Sequence, residues 1–91
     1  MTAVTVAIAW LRAEDWPRWQ SIDSKLLPFD RWLKKISTAI DQIELSGSRT
    51  EKVVVDPDVF AAWCRNNDKP IDRNSRAQYA AAELLKALQR S

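Results

Sequence analysis

The stretch Val53–Cys64, which reads VVVDPDVFAAWC, decides how this chain folds. Its three consecutive valines show no polar alternation, so they predict a strand that is buried on both faces. A helix follows at once, because Asp56 is a good N-cap and Pro57 suits the first helical position. The aromatic residues Phe60 and Trp63 mark the face of this helix that we expect to be buried.

Upstream of this stretch, the sequence predicts three further elements. Val4–Leu11 reads as a strand with mostly apolar residues on both faces. Phe29–Leu45 carries apolar residues at helical spacing, and Gly47 suits the left-handed residue that ends such a helix. Residues 14–24 are a weaker helix candidate, with Pro17 inside the first turn.

Helices 57–67 and 72–89 complete the chain, so the predicted order is β-α-α-β-α-α. This order describes a small, helix-rich α+β fold in one domain, residues 1–91, with a two-stranded sheet formed by 4–11 and 50–55. Two full helices between the strands would make the sheet antiparallel, whereas a short first helix allows a parallel crossover. The sequence leaves this choice open.

The composition excludes several kinds of catalytic site. The 91 residues include 14 Lys and Arg and 12 Asp and Glu, no histidine, one cysteine and one glycine. Without histidine, the chain can have neither a histidine base nor a Cys–His nucleophile pair. With one glycine, it cannot form a glycine-rich phosphate loop. Residues 1–59 have a net charge of −1, from eight basic and nine acidic side chains; residues 60–91 have +3, from six and three. We predict a protein that is not an enzyme and needs no cofactor or metal.

The single cysteine and the lengths of the apolar segments indicate the cellular compartment. Cys64 has no second cysteine with which to form a disulfide, which favours a reducing cytoplasm. The apolar N-terminus lacks the basic segment of a signal peptide. No run approaches the ~18 apolar residues of a membrane span. We therefore expect a cytoplasmic protein that makes no membrane contact.

Five tryptophans stand out in a chain of this length. Trp10, Trp32 and Trp63 lie on apolar faces and are predicted to fill the core. Trp16 and Trp19 lie among charged and polar residues, so we expect them to be partly exposed. Exposed tryptophans are typical of surfaces that bind a protein partner.

The C-terminal helix pair, 57–67 and 72–89, resembles a helix-turn-helix. Its second helix opens with Arg73, Arg76 and Gln78, whose side chain types read base edges in the major groove. The basic excess of this half is small for a nucleic-acid binder. Nucleic-acid binding is therefore the alternative hypothesis, and binding to an unidentified protein is the leading one.

Self-association is part of the leading hypothesis. Strand 4–11 carries no proline or charge that would protect its edge. Thr5, Ala7 and Ala9 are small enough to admit a second strand closely. Two strands seldom make a stable sheet, so the sequence predicts a homodimer that joins two copies of this strand.

Several stretches of the chain also carry a resemblance. They are Val55–Arg65 (VDPDVFAAWCR), Asp72, Ser75–Ala81 (SRAQYAA), and the earlier residues 15–17 and 30–33. Together they resemble a family of short bacterial proteins of about this length whose function is unassigned. The resemblance covers most of the chain and implies a bacterial, cytoplasmic, single-domain protein. It brings no catalytic residue with it.

Overall fold

The computed structural model describes residues 4–90, and its elements follow the predicted order. The two strands are β1 (Thr5–Trp10) and β2 (Arg49–Val54). The four helices are α1 (Trp16–Ile22), α2 (Phe29–Leu45), α3 (Pro57–Asn66) and α4 (Arg73–Arg90). A short 3-10 turn, Ala13–Asp15, leads into α1. The predicted α+β fold with a two-stranded sheet is confirmed.

The two strands run parallel. Their register places Thr5 opposite Arg49 and Trp10 opposite Val54. Parallel pairing requires a crossover connection, and α2 supplies it by returning the chain along β2. The first helix, α1, has only seven residues and packs against α3. The shortness of α1 therefore decides the strand direction that the sequence left open.

The end of α2 has the hydrogen bonds of a Schellman motif. Gly47 has a φ of 98°, in the left-handed region. Its N–H donates to the Glu44 carbonyl at 3.1 Å, and the Ser48 N–H donates to the Ile43 carbonyl at 3.3 Å. The predicted role of Gly47 is confirmed, and the motif turns the chain into β2.

The start of α3 is also as predicted. One carboxylate oxygen of Asp56 accepts the backbone N–H groups of Asp58, at 2.9 Å, and Val59, at 3.1 Å. Pro57 occupies the first turn, where its missing N–H costs no hydrogen bond. The chain thereby passes from β2 into α3 with almost no loop.

The core lies beyond the carboxyl ends of the two strands. Leu11 and Val55, which directly follow the strands, are fully buried. Around them lies an aromatic cluster that draws on all four helices and consists of Trp16, Trp19, Trp32, Phe60 and Tyr79. The core prediction is confirmed for Trp32 and holds in part for Trp10 and Trp63, which are half-buried against this cluster.

The two-sided burial expected for the valine run is wrong at Val54. This side chain is 55% exposed, whereas its neighbour Val55 is fully buried. β2 is an edge strand, and its residues Arg49, Glu51 and Lys52 are exposed as well. The apolar run therefore marks the entry of the chain into the core rather than a strand covered on both sides.

The inward face of α4 is not the one that its apolar residues predict. The spacing of Ala77, Ala80, Ala81, Leu84 and Leu88 predicts a packing face made of these residues, but only Ala80 of this set is fully buried. The inward face of α4 carries Arg76, Tyr79 and Ala80. Arg76 is a charged residue on this core-facing side of the helix. Its charge is neutralised by Asp23, which is distant in sequence.

Some apolar side chains remain on the outer surface of the helices. Leu45, Val59, Leu85 and Leu88 are each more than half exposed. They lie on three different helices, and scattered exposed apolar residues are ordinary in folded proteins. Within residues 4–90, no helix combines the length and the apolar content needed to cross a bilayer.

Candidate functional site

A groove of about 500 Å³ lies along β1. Three consecutive strand residues, Ala7, Ile8 and Ala9, line its floor. Successive side chains of a strand point to opposite faces, and the same groove is also lined by residues of both α2 and α4. We place this groove, called here the β1 groove, along the edge of β1 that does not pair with β2.

The hydrogen bonds of the sheet show which backbone groups face the groove. The Arg49 N–H donates to the Val4 carbonyl at 2.8 Å, and the Val55 N–H donates to the Trp10 carbonyl at 3.0 Å. In a parallel ladder only alternate residues of a strand bond to a given neighbour. Even-numbered residues of β1 therefore face β2. The N–H and C=O groups of the odd-numbered residues Thr5, Ala7 and Ala9 point outwards.

No strand within residues 4–90 pairs with this outer edge, because the described sheet contains β1 and β2 only. Each peptide group on such an edge is an available donor or acceptor. Ala7 and Ala9 are partly buried, so the edge is recessed rather than lying at the outermost surface. The β1 groove thus presents a short row of backbone hydrogen-bonding groups inside a cleft.

Helix α2 forms an apolar wall of the β1 groove. Trp32, Ile36 and Ala39 lie at the spacing that places them on one face of the helix, and all three line the groove. The ring of Trp32 also packs edge-on against Trp10, with 5.4 Å between ring centroids. This contact fixes α2 against β1 and holds the wall in place.

The first turns of α4 and the loop between α1 and α2 form the rest of the groove. A buried ion pair ties these two segments together: Arg76 Nη1 lies 2.9 Å from Asp23 Oδ2, and the side chains are 8% and 10% exposed. A buried charge needs a close partner of opposite sign. The pair explains why an arginine occupies the inward face of α4.

Asp72 caps α4 at the rim of the groove. Its carboxylate accepts the Ser75 backbone N–H at 2.8 Å. This hydrogen bond is the main reason that the pKa of Asp72 lies below the usual value of an aspartate, and the neighbouring Arg76 lowers the pKa further. The carboxylate is therefore charged at neutral pH, and its Oδ1 caps the helix.

Three basic side chains at the groove have no carboxylate partner within the part of the chain that the structure describes. They are Lys25, Lys35 and Arg73, and each is exposed. The groove lining also carries Asp23, which pairs with Arg76, and Asp72, whose charge remains, so four basic residues face two acidic ones and the net charge is +2. The β1 groove therefore combines an apolar wall with a positively charged rim.

The predicted exposure of Trp16 and Trp19 is wrong. Trp16 is 6% exposed and Trp19 is fully buried. Trp16 packs edge-on against Phe29, and its indole N–H donates to the Leu27 carbonyl at 3.1 Å. Trp19 packs against Phe60. Their polar neighbours in the sequence lie on the outer side of the short helix α1, which conceals how deeply its inner side is buried.

The predicted base-reading residues do not form one exposed surface. Arg76 is buried in its ion pair with Asp23, while Arg73 and Gln78 are exposed. Arg73 lines the β1 groove, and Gln78 is not among the residues that line it. The prediction that Arg76 is available to a partner is therefore wrong, because its charge is used to hold the loop between α1 and α2 against α4.

Sequence reasoning missed most of this site. The small residues Ala7 and Ala9 signalled an accessible strand edge, and the structure places them on the groove floor. Lys25 and Lys35 gave no signal, because isolated lysines on polar surfaces are common. Asp23 and Arg76 are 53 residues apart, so only the folded chain reveals that they meet.

Comparisons with family models, curated proteins and solved structures find no match. The resemblance to short bacterial proteins therefore stays a prediction. The function has to be argued from the β1 groove and its residues.

Proposed function

We propose that this protein is a non-enzymatic protein-interaction domain. Its binding site is the β1 groove, and it takes up an extended segment of another chain as a third strand beside β1. The observation that carries this proposal is the open strand edge on the groove floor. Addition of a strand to an exposed sheet edge is a recurrent mode of peptide recognition.

The backbone of β1 supports strand addition. The outward groups of Thr5, Ala7 and Ala9 would supply the main-chain hydrogen bonds that give such complexes their affinity. A two-stranded sheet is marginal by itself, so a third strand would also add to the stability of the domain. The methyl side chains of Ala7 and Ala9 leave the space that an incoming backbone needs.

The titratable groups favour binding over catalysis. Asp23 and Arg76 neutralise each other, and Oδ1 of Asp72 accepts the Ser75 N–H of the helix cap. Burial raises the pKa of the Cys64 thiol, and the negative charge of Asp72 raises it further. A protonated, buried thiol is a poor nucleophile at neutral pH.

A second copy of the chain is the other candidate partner for the same edge. Antiparallel pairing of two β1 strands about Ala7 would join Thr5 of each copy to Ala9 of the other in a four-stranded sheet. This homodimer follows from the same open edge. It receives less support, because two recessed edges with basic rims would face each other and their charges would repel.

Nucleic-acid binding by the C-terminal helices also receives less support. Of the three residues that suggested it, Arg76 is buried and only Arg73 and Gln78 are exposed. Two exposed polar side chains are a small footprint for a duplex binder, which needs several phosphate contacts.

For the cellular setting we propose the bacterial cytoplasm. The lone cysteine, Cys64, is buried in the core as a free thiol. Structural free thiols are typical of reducing compartments. The bacterial part of this proposal rests on the resemblance of Val55–Arg65 and Ser75–Ala81 to short bacterial proteins.

The test is a selection of random linear peptides displayed on phage against the immobilised protein. We expect enriched peptides whose binding slows hydrogen exchange at the Ala7 and Ala9 amides. Ala7→Pro removes an outward N–H without touching the bonds to β2, so it should weaken binding. Val54→Pro is the matched control, since Val54 is exposed and the substitution removes an outward N–H from the far edge of the sheet.

Two results would contradict the proposed function. One is a selection that enriches no peptide. The other is a set of enriched peptides that bind the folded Ala7→Pro variant as tightly as the parent and leave the exchange of the Ala7 amide unchanged. Circular dichroism and urea unfolding of both proline variants establish that they are folded.

A further inference from the structure

We infer that the segment bound in the β1 groove is an extended strand in which apolar and acidic residues alternate. This inference rests on the proposed function and specifies the chemistry of the partner. It follows from the difference between the two sides of the groove and from the charges at its rim.

The alternation follows from the geometry of a strand. Successive side chains of an added strand point to opposite faces of the sheet. On the α2 side they meet the apolar wall of Trp32, Ile36 and Ala39, which favours a branched or aromatic apolar side chain. On the α4 side they meet Asp72, Arg73 and Asn74, which are polar. Lys25 and Lys35, which are exposed, line the groove outside α4. Residues of the ligand that face α4 should therefore be polar.

The sign of the charge follows from which groups are already paired. Arg76 is neutralised by Asp23. Lys25, Lys35 and Arg73 remain without a carboxylate partner among the described residues, and their three positive charges exceed the one negative charge of Asp72 at the same groove. A carboxylate of the ligand can pair with them at the open rim, whereas a lysine or arginine there would be repelled.

The same charges separate this partner from a second copy of the chain. A homodimer would bring the Lys25, Lys35 and Arg73 of both copies towards one another across the paired strands. The residues of β1 itself are uncharged from Val4 to Trp10. The chain therefore cannot supply, from its own β1, the carboxylates that would satisfy the rim.

The probes are synthetic peptides with capped ends and a fluorescent label, read by fluorescence anisotropy. The core of the first is Val-Asp-Val-Asp-Val. In the second and third, Asn and then Lys replace both Asp residues. We expect the Asp peptide to bind most tightly and the Lys peptide at least roughly tenfold more weakly, because each of several rim charge pairs contributes a small factor. The preference should shrink as salt is added.

Charge reversal on the protein assigns the effect to the rim. Lys35→Glu and Arg73→Glu should weaken binding of the Asp peptide and improve binding of the Lys peptide. Lys34→Glu is the matched control, because Lys34 is exposed on the same helix but does not line the groove. It should change both peptides little.

The outcomes distinguish this inference from the proposed function. If all three peptides bind equally well and protect the Ala7 amide, the acidic preference is wrong and strand addition stands. If no peptide binds and the phage selection also fails, both are wrong. If the Asp peptide binds but Ala7→Pro has no effect on it, the ligand is not an added strand, and the inference is overturned.

Two further measurements address other occupants. Sedimentation equilibrium that shows a dimer, converted to a monomer by Ala7→Pro, would assign the groove to a second copy and overturn the inference. A labelled single-stranded oligonucleotide that outcompetes the Asp peptide at equal charge would overturn it in favour of a nucleic acid. We expect a monomer and no such competition.

Discussion

The two ends of β1 are built from different kinds of residue. At its carboxyl end, Trp10 and Leu11 run into the aromatic cluster, where Leu11 is fully buried. Along the rest of the strand, Thr5, Ala7 and Ala9 present small side chains and an open edge to a groove. Large side chains fill space and stabilise the fold, whereas small ones leave a backbone edge accessible. One strand thereby anchors the fold at its carboxyl end and, in the proposed function, offers a binding edge along the rest of its length.

This contrast predicts that stability is concentrated in the aromatic cluster. Trp19 is fully buried against Phe60. Trp19→Ala should lower the free energy of unfolding by about 3–5 kcal/mol, because it leaves a large cavity. Urea unfolding followed by circular dichroism measures the change. A loss below about 1 kcal/mol would show that the cluster is not the stabilising centre.

Trp19→Phe is the informative companion variant. The indole N–H of Trp19 is buried and has no hydrogen-bond partner in the structure of residues 4–90. Removing an unsatisfied buried donor relieves a desolvation cost, which offsets part of the lost packing. We therefore expect Trp19→Phe to cost clearly less than Trp19→Ala.

The groove has its own stabilising element, the buried pair of Asp23 and Arg76. Removing one partner leaves an uncompensated buried charge, so Asp23→Ala should cost about 3 kcal/mol in the free energy of unfolding. The double variant Asp23→Leu/Arg76→Met should recover part of this loss. A double-mutant cycle that shows no coupling between Asp23 and Arg76 would show that this pair does not stabilise the groove.

The exposed pair of Arg18 and Asp58 is the matched control for the buried pair. Its side chains are 56% and 66% exposed, although its atoms approach to 2.6 Å. Ion pairs in water contribute about 0–1 kcal/mol. Asp58→Ala should therefore change the free energy of unfolding much less than Asp23→Ala does.

Gly47 tests the connection to the sheet, away from both ends of β1. Its φ of 98° is strained for any residue with a Cβ, although nothing lies within 4 Å of the position a Cβ would take. Gly47→Ala should cost about 1 kcal/mol of unfolding free energy, and Gly47→Asn should cost less. Equal urea midpoints for Gly47→Ala and the parent would contradict the left-handed assignment.

The smallest effect concerns the rim of the groove in acid. Because the pKa of Asp72 is lower in the folded chain than in the unfolded chain, its contribution to stability is present above the unfolded pKa. This contribution is lost as the pH falls through the folded pKa. Asp72→Asn keeps a capping side chain but has no carboxylate to titrate, so its stability should fall less steeply in acid. Urea unfolding at several acidic pH values measures this slope.

The order of the elements could be predicted because local signals mark it. Asp56 with Pro57 starts α3, Gly47 ends α2, and apolar periodicity identifies α2 itself. Each signal acts between residues that are close in the chain, through backbone hydrogen bonds or steric limits on φ. All three were confirmed by the structure.

The burial of individual side chains was predicted less well. Trp16 and Trp19 have polar neighbours in the sequence and were expected near the surface, yet both lie in the core. Arg76 is charged and was expected on an exposed surface, yet it is buried too. Burial depends on what packs over a side chain, and for α1 and α4 that covering comes from elements distant in sequence.

In the candidate site, too, some features can be predicted from neighbouring residues and others depend on the folded structure. By itself, the sequence determined that strand 4–11 has an unprotected edge with small residues, because the residues that form this edge are close together in the chain. Only the tertiary structure decided that the edge lies in a groove between α2 and α4, with Lys25, Lys35 and Arg73 at the rim. The physical reason is that the parallel crossover and the Asp23–Arg76 pair join segments that have no local interaction, so their meeting depends on the folded chain as a whole.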